Sequence, residues 1–214
     1  MRDKIKDFWR IESAKMKDMS MKDKAGYIWE YYKFPIIGFI IGAIIIGSVV
    51  NGILNPPKDT FAQIVYYGGY FADDMLLKVE TSIADAAMTD EEKLSDAVYS
   101  TVIYGATGDT QADMANSQKF MVMVAAAELD IIVFNKFELE SLKNSEMLID
   151  ITTVMDEELQ SRVGDLLIDN VALDISENLF FRSAGLNTED MRVGVIVNTA
   201  RLDNVKRVLN VILR

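Results

Sequence analysis

AAAELDIIVFN, residues 125–135, is the stretch from which the rest of the chain can be ordered. Between Leu129 and Asn135 every residue but Asp130 and the final Asn is apolar and large. Strict alternation would mark a strand with one wet face. A short continuous run instead predicts a strand buried on both faces, and such strands need helices above and below them. The flanks supply them. DTQADMANSQKFMVMVAAAE (109–128) predicts a helix whose inner side is Met114, Phe120, Met121, Val124 and Ala125, and KFELESLKNSEM (136–147) predicts a charged helix. Asp130 marks the end of the first helix and the start of the strand, and it is given no catalytic role.

Outward from this centre the same alternation continues. TFAQIVYYGGYF (60–71) predicts a strand with a Gly-Gly exit, DDMLLKVETSIADAAM (73–88) a helix with an apolar stripe, and AVYSTVIYGATGD (97–109) a second strand. Further on, DEELQSRVGDLL (156–167) predicts a helix, NVALDIS (170–176) an edge strand, and NLFFRSAGL (178–186) a short helix ended by Gly185. DMRVGVIVNTA (190–200) predicts another buried strand and LDNVKRVLNVILR (202–214) a closing amphipathic helix. Strands alternating with helices predict an α/β fold with a mainly parallel sheet.

On the N-terminal side the pattern changes. Phe34 to Leu54 is 21 residues without a charge. At about 1.5 Å per residue a helix of that length reaches roughly 31 Å, close to a hydrocarbon core of about 30 Å. A buried core helix seldom runs this far without a polar face. A signal peptide has an apolar region of about 7–15 residues and an A-x-A-like site, and GSVVNGILNPP offers none. A lipoprotein anchor needs Cys, which the chain lacks. The run predicts one uncleaved transmembrane helix, with Pro35 in its first turn and Asn55-Pro56-Pro57 stopping it. The expected organisation is a cytoplasmic arm (1–33), the span (34–54), a linker (55–59) and an extracytoplasmic α/β domain (60–214).

Charge sets the expected orientation. Residues 1–33 hold nine Lys/Arg against six Asp/Glu, and residues 55–214 hold thirteen against twenty-seven. Cationic flanks stay in the cytoplasm, so the N-terminus is expected inside and the acidic portion outside. Tyr27, Trp29, Tyr31, Tyr32 and Lys33 suit the headgroup region as membrane anchors. Gly38, Gly42, Ala43 and Gly47 give small residues at four-residue spacing, which lets two helices approach and makes self-association an expectation. In the arm, Ile5, Phe8, Trp9, Glu12, Met16 and Met19 fall near one helical face, either as a helix on the inner leaflet or as a loose cationic tail. Ser20 to Asp23 reads as a capping box that starts a new helix.

The net charge of −11 argues against nucleic acid as a partner. Absence of Cys and His removes disulfides, thiolate nucleophiles, His-based triads and the usual zinc sites. No segment has the alternating Asp/Asn and central Gly of a calcium loop, and GATGDT lacks the Lys of a phosphate loop. No metal and no cofactor are expected.

Two sets of residues resemble known families. DKAGYIWEYYKFPIIGFIIG resembles the start of a group of single-span membrane proteins of clostridial-type Gram-positive bacteria. AAAELDIIVFNKFELESLKNSEMLIDI, with the later ALDISENLFFRSAGLNTEDMRVGVIVNTARLDNVKRVLNVIL, resembles the type 2 periplasmic-binding-protein pattern. That resemblance implies an extracytoplasmic domain with a cleft between two lobes. Only about 55 residues separate the strands at 130–135 and 191–198, so the second lobe is expected to be reduced.

In open parallel sheets ligands sit beyond the carboxyl ends of the strands. Those ends supply the candidate ligand-binding residues: Tyr67, Gly68, Gly69, Thr107, Gly108, Asn135, Asn198 and Thr199. Plain turn chemistry explains the same Gly and Asn residues. Two functions stay open: a membrane-anchored, non-catalytic domain binding an extracellular solute or a partner, and a structural or accessory subunit of a membrane complex that uses the fold as a scaffold. The bilayer is the one partner expected in both.

Overall fold

Ser20 starts the first helix as a capping residue. Its hydroxyl accepts from the Asp23 backbone N–H (3.3 Å) and donates to the Asp23 carboxylate (2.6 Å), satisfying polar groups the first turn leaves free. The structure is a computed structural model and describes residues 10, 14, 17, 19–54, 56–69, 71–105 and 108–214. It divides into two units, Met1–Pro57 and Lys58–Arg214. The expected amphipathic stripe of the arm, Met19 apart, lies outside the described residues.

In the first unit the capping box and the apolar run form one continuous helix, α1 (Met21–Leu54). Pro35 therefore stands inside this helix and not in its first turn. Without an N–H it cannot donate to the Tyr31 carbonyl four residues back, and the helix passes through it with that bond missing. No residue of α1 is buried. The helix is long and apolar enough to cross a membrane. Near its start Tyr27 packs on Tyr31 with ring centroids 4.7 Å apart and lies 6.5 Å from Tyr32. Trp29 is exposed, and the Lys33 ammonium sits over the Phe34 ring. A Cβ added at Gly38, Gly42 or Gly47 would meet nothing within 4 Å, and Ala43 is exposed, so the small-residue face is open.

The second unit is built on six strands: β1 (Asp59–Tyr67), β2 (Asp96–Ile103), β3 (Ile131–Asn135), β4 (Leu167–Ile168), β5 (Ala172–Asp174) and β6 (Met191–Val195). Their order across the sheet is β2-β1-β3-β6-β5-β4. Helices α2 (Asp73–Ala87), α3 (Glu92–Ser95), α4 (Thr110–Ala125), α5 (Leu139–Asn144), α6 (Glu157–Val163), α7 (Leu179–Ser183) and α8 (Leu202–Ile212) connect and cover it. The β3 strand is central, with Ile131, Ile132, Val133 and Phe134 at most 2 % exposed. Alternation sends Ile131 and Val133 into one core with Ile64, Tyr66, Val79, Leu159, Phe181 and Val208, beneath α2, α6, α7 and α8. Ile132 and Phe134 enter the other, with Phe120, Val124, Leu139 and Leu142 from α4 and α5. The fold is a layered α/β/α unit.

Two features depart from the expectation. Only β2, β1 and β3 pair in parallel; β3–β6, β6–β5 and β5–β4 are antiparallel. The sheet is mixed because residues 136–190 return through short elements that reverse direction before β6. Nor do those residues form a reduced second lobe: they add β4 and β5 to the same sheet and belong to the same compact unit. The two-residue β4 left no periodic signal to read.

Local endings follow chemistry visible in the sequence. Helix α7 stops in a Schellman motif: Gly185 N–H donates to Arg182 O (3.0 Å) and Leu186 N–H to Phe181 O (3.1 Å), with Gly185 at φ +96°. A Cβ there costs about 1–2 kcal/mol, so Gly185→Ala is expected to lower unfolding free energy by about that amount in urea titration. Helix α3 begins in a reciprocal box between Thr89 and Glu92, and Glu92 also takes both guanidinium nitrogens of Arg207 on α8 at 2.7 Å. The Arg207 hydrogen bonds, then the Thr89 amide, hold the Glu92 carboxyl at about 2, below its usual 4.5. A depressed carboxyl stabilises the fold above its unfolded pKa and loses that contribution as pH falls through the folded value. The melting-temperature gap between the native chain and Glu92→Gln should be full at pH 6, shrink below about pH 4.5, and close near pH 2.

Candidate functional site

The candidate ligand-binding residues divide between the two ends of the sheet. Because β6 runs antiparallel to β3, Asn135 pairs with Met191 while Ile131 pairs with Val195. The end of β6 therefore lies beside the start of β3. Asn198 and Thr199 belong there, away from Tyr67, Gly68, Gly69 and Asn135, so one pocket cannot contain the whole set. Thr107 lies outside the described residues.

At the carboxyl end of β1 and β3, Tyr67 is followed by Gly68 at φ +84°. Gly68 N–H donates to Ile103 O (3.0 Å), and a Cβ on Gly105 would stand 3.0 Å from the Gly68 Cα. Two backbones touch there, which only Gly permits. Gly69 lies under the Phe71 ring. Asn135 uses its side-chain oxygen to accept from Phe137 N–H (3.1 Å), capping the 3-10 turn Lys136–Glu138. Gly108 (φ +85°) precedes Asp109, which caps α4 by accepting from Gln111 and Ala112 N–H. Turn and cap chemistry thus engages Asn135 and the loop after Gly108.

Tyr67 is the member that reaches a cavity. It lines a hollow of about 140 Å³ together with Ser117, Glu138, Ser141 and Ser145, its ring 5.1 Å from that of Phe120. Burial, and then the negative charge of Glu138, push the Tyr67 phenol up. On the same edge a second hollow of about 360 Å³ is lined by Ser176, Arg182, Asn187, Thr188 and Asp190. Arg182 is already paired with Glu177 at 2.8 Å, and the Thr188 hydroxyl donates to Ser176 O.

The opposite edge holds a closed polar knot. Asp130 is fully buried. One carboxylate oxygen accepts from Gln63 N–H on β1 (2.7 Å) and from Arg201 Nε (2.8 Å); the other accepts from the Thr199 hydroxyl. Arg201 also donates to Glu128 O (2.7 Å), Thr199 Oγ1 accepts from Arg201 N–H (3.1 Å), and the Asn198 amide donates to Val124 O. Asn198 and Thr199 are thus spoken for by the fold. The Asp130 identified in the sequence as a helix-to-strand junction is the anchor, and its cation is 71 positions away. Removing the carboxylate altogether leaves the Gln63 backbone amide and the guanidinium without their acceptor, a loss of about 3 kcal/mol for a buried pair, whereas Asn keeps one acceptor oxygen. Asp130→Ala should lower unfolding free energy by about that much, with Asp130→Asn less damaging, measured by urea unfolding followed by far-UV circular dichroism.

A third cluster went unnoticed in the sequence. On the α2 side of the sheet, Glu80 lies beside Ser100 of β2, close to Tyr66 of β1. Burial pushes the Glu80 carboxyl up, and the Ser100 hydroxyl and amide pull it part of the way back. Burial also raises the Tyr66 phenol. The Tyr66 hydroxyl lies against the Ser100 hydroxyl, and both oxygens are buried. The only signal was an acid flanking the apolar stripe at 76, 79 and 83.

Among the described residues no group of three or more Asp or Glu side chains is placed to hold a metal ion. No known protein family, no curated protein and no solved structure matches the chain significantly.

Proposed function

We propose that this chain is a membrane-tethered, non-catalytic interaction module whose α/β unit faces outside the cell and engages a protein partner. The single observation that carries the reading is α1, 34 residues with no buried side chain and an uncharged stretch from Phe34 to Leu54. Aqueous exposure of that much apolar surface is unfavourable at about 25 cal/mol per Å², whereas a bilayer covers it. The aromatic group Tyr27, Trp29, Tyr31 and Tyr32 with Lys33 then sits at the inner interface, and the cationic arm stays in the cytoplasm.

The partner reading is favoured over solute capture by how the strand ends are used. Asn135, Asn198 and Thr199 serve caps and the Asp130 knot. The hollow at Tyr67 holds about 140 Å³, below the roughly 300–1,000 Å³ usual for ligand pockets. The resemblance to binding proteins enters as the origin of a scaffold, not of a cleft. A second reading, binding of a small polar solute, is favoured by the 360 Å³ hollow lined by Ser176, Arg182, Thr188 and Asp190.

In intact cells a membrane-impermeant amine reagent should label Lys78 and Lys119 and spare Lys22 and Lys24, read by mass spectrometry. The reverse pattern overturns the topology. A rise in melting temperature with an amino acid, sugar or peptide would favour the solute reading over the partner reading.

A further inference from the structure

The hollow at Tyr67 lies between two helices. Ser117, Phe120 and Met121 of α4 form one wall, and Ser141 and Leu142 of α5 form the other. Glu138, the residue just before α5, lines it too. One of its carboxylate oxygens would stand 4.0 Å from a Cβ on Gly68, so the acid lies over the Gly-Gly exit of β1.

Glu138 is half-buried, and the cations that neighbour it in the chain are committed elsewhere. Lys136 is held by Asp190 at 2.8 Å, and Lys143 by Asp169 at 2.6 Å. Among the described residues Glu138 has no ion pair, and its side chain makes no capping hydrogen bond at the start of α5. Its charge is felt by the Tyr67 phenol, which burial and then Glu138 push up. Taking a carboxylate partly out of water without a counter-charge is unfavourable. The group this hollow lacks is a cation.

The surface around it is apolar. Met114, Phe120, Met121, Val124 and Ala125 were expected on the inner side of α4, yet only Phe120 and Val124 are buried. Met114 and Met121 are more than half exposed, and their spacing with Ala125 sets all three on one outward face of the helix. Phe137, next to Glu138, is 78 % exposed. Ser117 is shared with a neighbouring depression of about 440 Å³ lined by Met114 and Gln118, so the hollow continues along α4. Exposed Met side chains adapt to the surface set against them, which suits a protein-binding face.

We propose that the Tyr67 hollow is the anchor pocket for a cationic side chain, lysine or arginine, of the protein partner; the inference rests on the partner reading above. Size and chemistry agree on this occupant. A cavity of about 150 Å³ holds a molecule the size of benzene, so about 140 Å³ admits one side chain. The apolar stem of Lys or Arg packs along Phe120, Met121 and the Tyr67 ring, while its charged head reaches Glu138 and the serine hydroxyls. Exposed Met114, Met121 and Phe137 then surround the anchor with apolar contact that keeps water out, the arrangement in which interfaces concentrate binding energy. Thirteen Lys/Arg against twenty-seven Asp/Glu in residues 55–214 steer a cationic partner towards the unit.

The chain has no Cys, so a single thiol can report on the hollow. Ser117→Cys places it on the exposed α4 wall, opposite the element that carries Glu138. The full chain in detergent micelles, at about pH 7.5, is equilibrated with equal concentrations of cystamine and 2-hydroxyethyl disulfide. The two mixed disulfides have the same length, and only one ends in an ammonium; intact-mass spectrometry gives their ratio. Adding Glu138→Gln should lower the ratio of ammonium to hydroxyl adduct at least fivefold. Adding Glu140→Gln, the same loss of charge at an exposed position outside the hollow, should change it less than twofold. Glu138 caps nothing, so the melting temperature of Glu138→Gln should match that of the native chain and separate a lost site from a lost fold. Labelling of Lys78 and Lys119 in intact cells reads the tethered topology by itself, so the pocket and the topology fail separately. A ratio unchanged by Glu138→Gln, or lowered equally by Glu140→Gln, would overturn the pocket.

Discussion

The buried carboxylate of Asp130 is the constraint around which the α/β unit is arranged. A lone charge cannot stay inside a protein unless hydrogen bonds and a counter-charge replace its water. Asp130 obtains them from three separate parts of the chain: the Gln63 amide on β1, the Thr199 hydroxyl after β6, and the Arg201 guanidinium at the start of α8. Its own backbone closes the arrangement, with Asp130 N–H donating to Gln63 O and Asp130 O accepting from Ile196 N–H. A chain that misplaced β6 by one residue would turn Arg192 towards the core that holds Val193 and Val195, and would set a valine where even a Cβ on Gly194 stands 3.0 Å from Leu148. It would also leave the carboxylate unsatisfied. The charge therefore adds a polar constraint to the register that burial already sets.

That division of labour explains what the sequence disclosed. The buried β3 was legible in LDIIVFN, and α2 and α8 in their stripes, because apolar periodicity records burial directly. The direction of β6 was not legible. A fully buried strand reads as the same apolar run whichever way it points, and only hydrogen bonding across to β3 separates the two cases. The expected site depended on that direction. Once β6 is reversed, Asn198 and Thr199 move to the far edge and take up structural duties, while Tyr67, Gly68, Gly69 and Asn135 remain together. Residues such as Asn135 and Asp109 were legible as turn formers, and caps are what they became. The Asp130–Arg201 pair was hidden by a separation of 71 residues, which no local pattern spans.

The mixed sheet also decides where polar side chains are free to act. On the antiparallel half, cross-strand contacts consume them: Arg192 of β6 pairs with Asp174 of β5 at 3.0 Å, and Thr188 is tied to Ser176. On the parallel half, the strand ends carry Gly and capping Asn or Asp. What remains is an outer strand without charge from Ala97 to Ile103, and a cluster in which the Ser100 hydroxyl and amide face the Glu80 carboxyl beside Tyr66 of β1.

Edge strands expose a conflict between two requirements. A parallel sheet needs an outermost strand, yet an outermost strand with open N–H and C=O groups invites further pairing. Charge at the strand itself would close this edge, but β2 carries none between Ala97 and Tyr104. Besides Asp96 at the strand's first position, the acid beside this edge is Glu80 of the covering helix, whose carboxyl burial raises and the Ser100 hydroxyl and amide lower. A carboxylate held this way screens one amide and leaves Val98 and Val102 open. Such a half-guarded edge admits only a strand that reaches it in matching register.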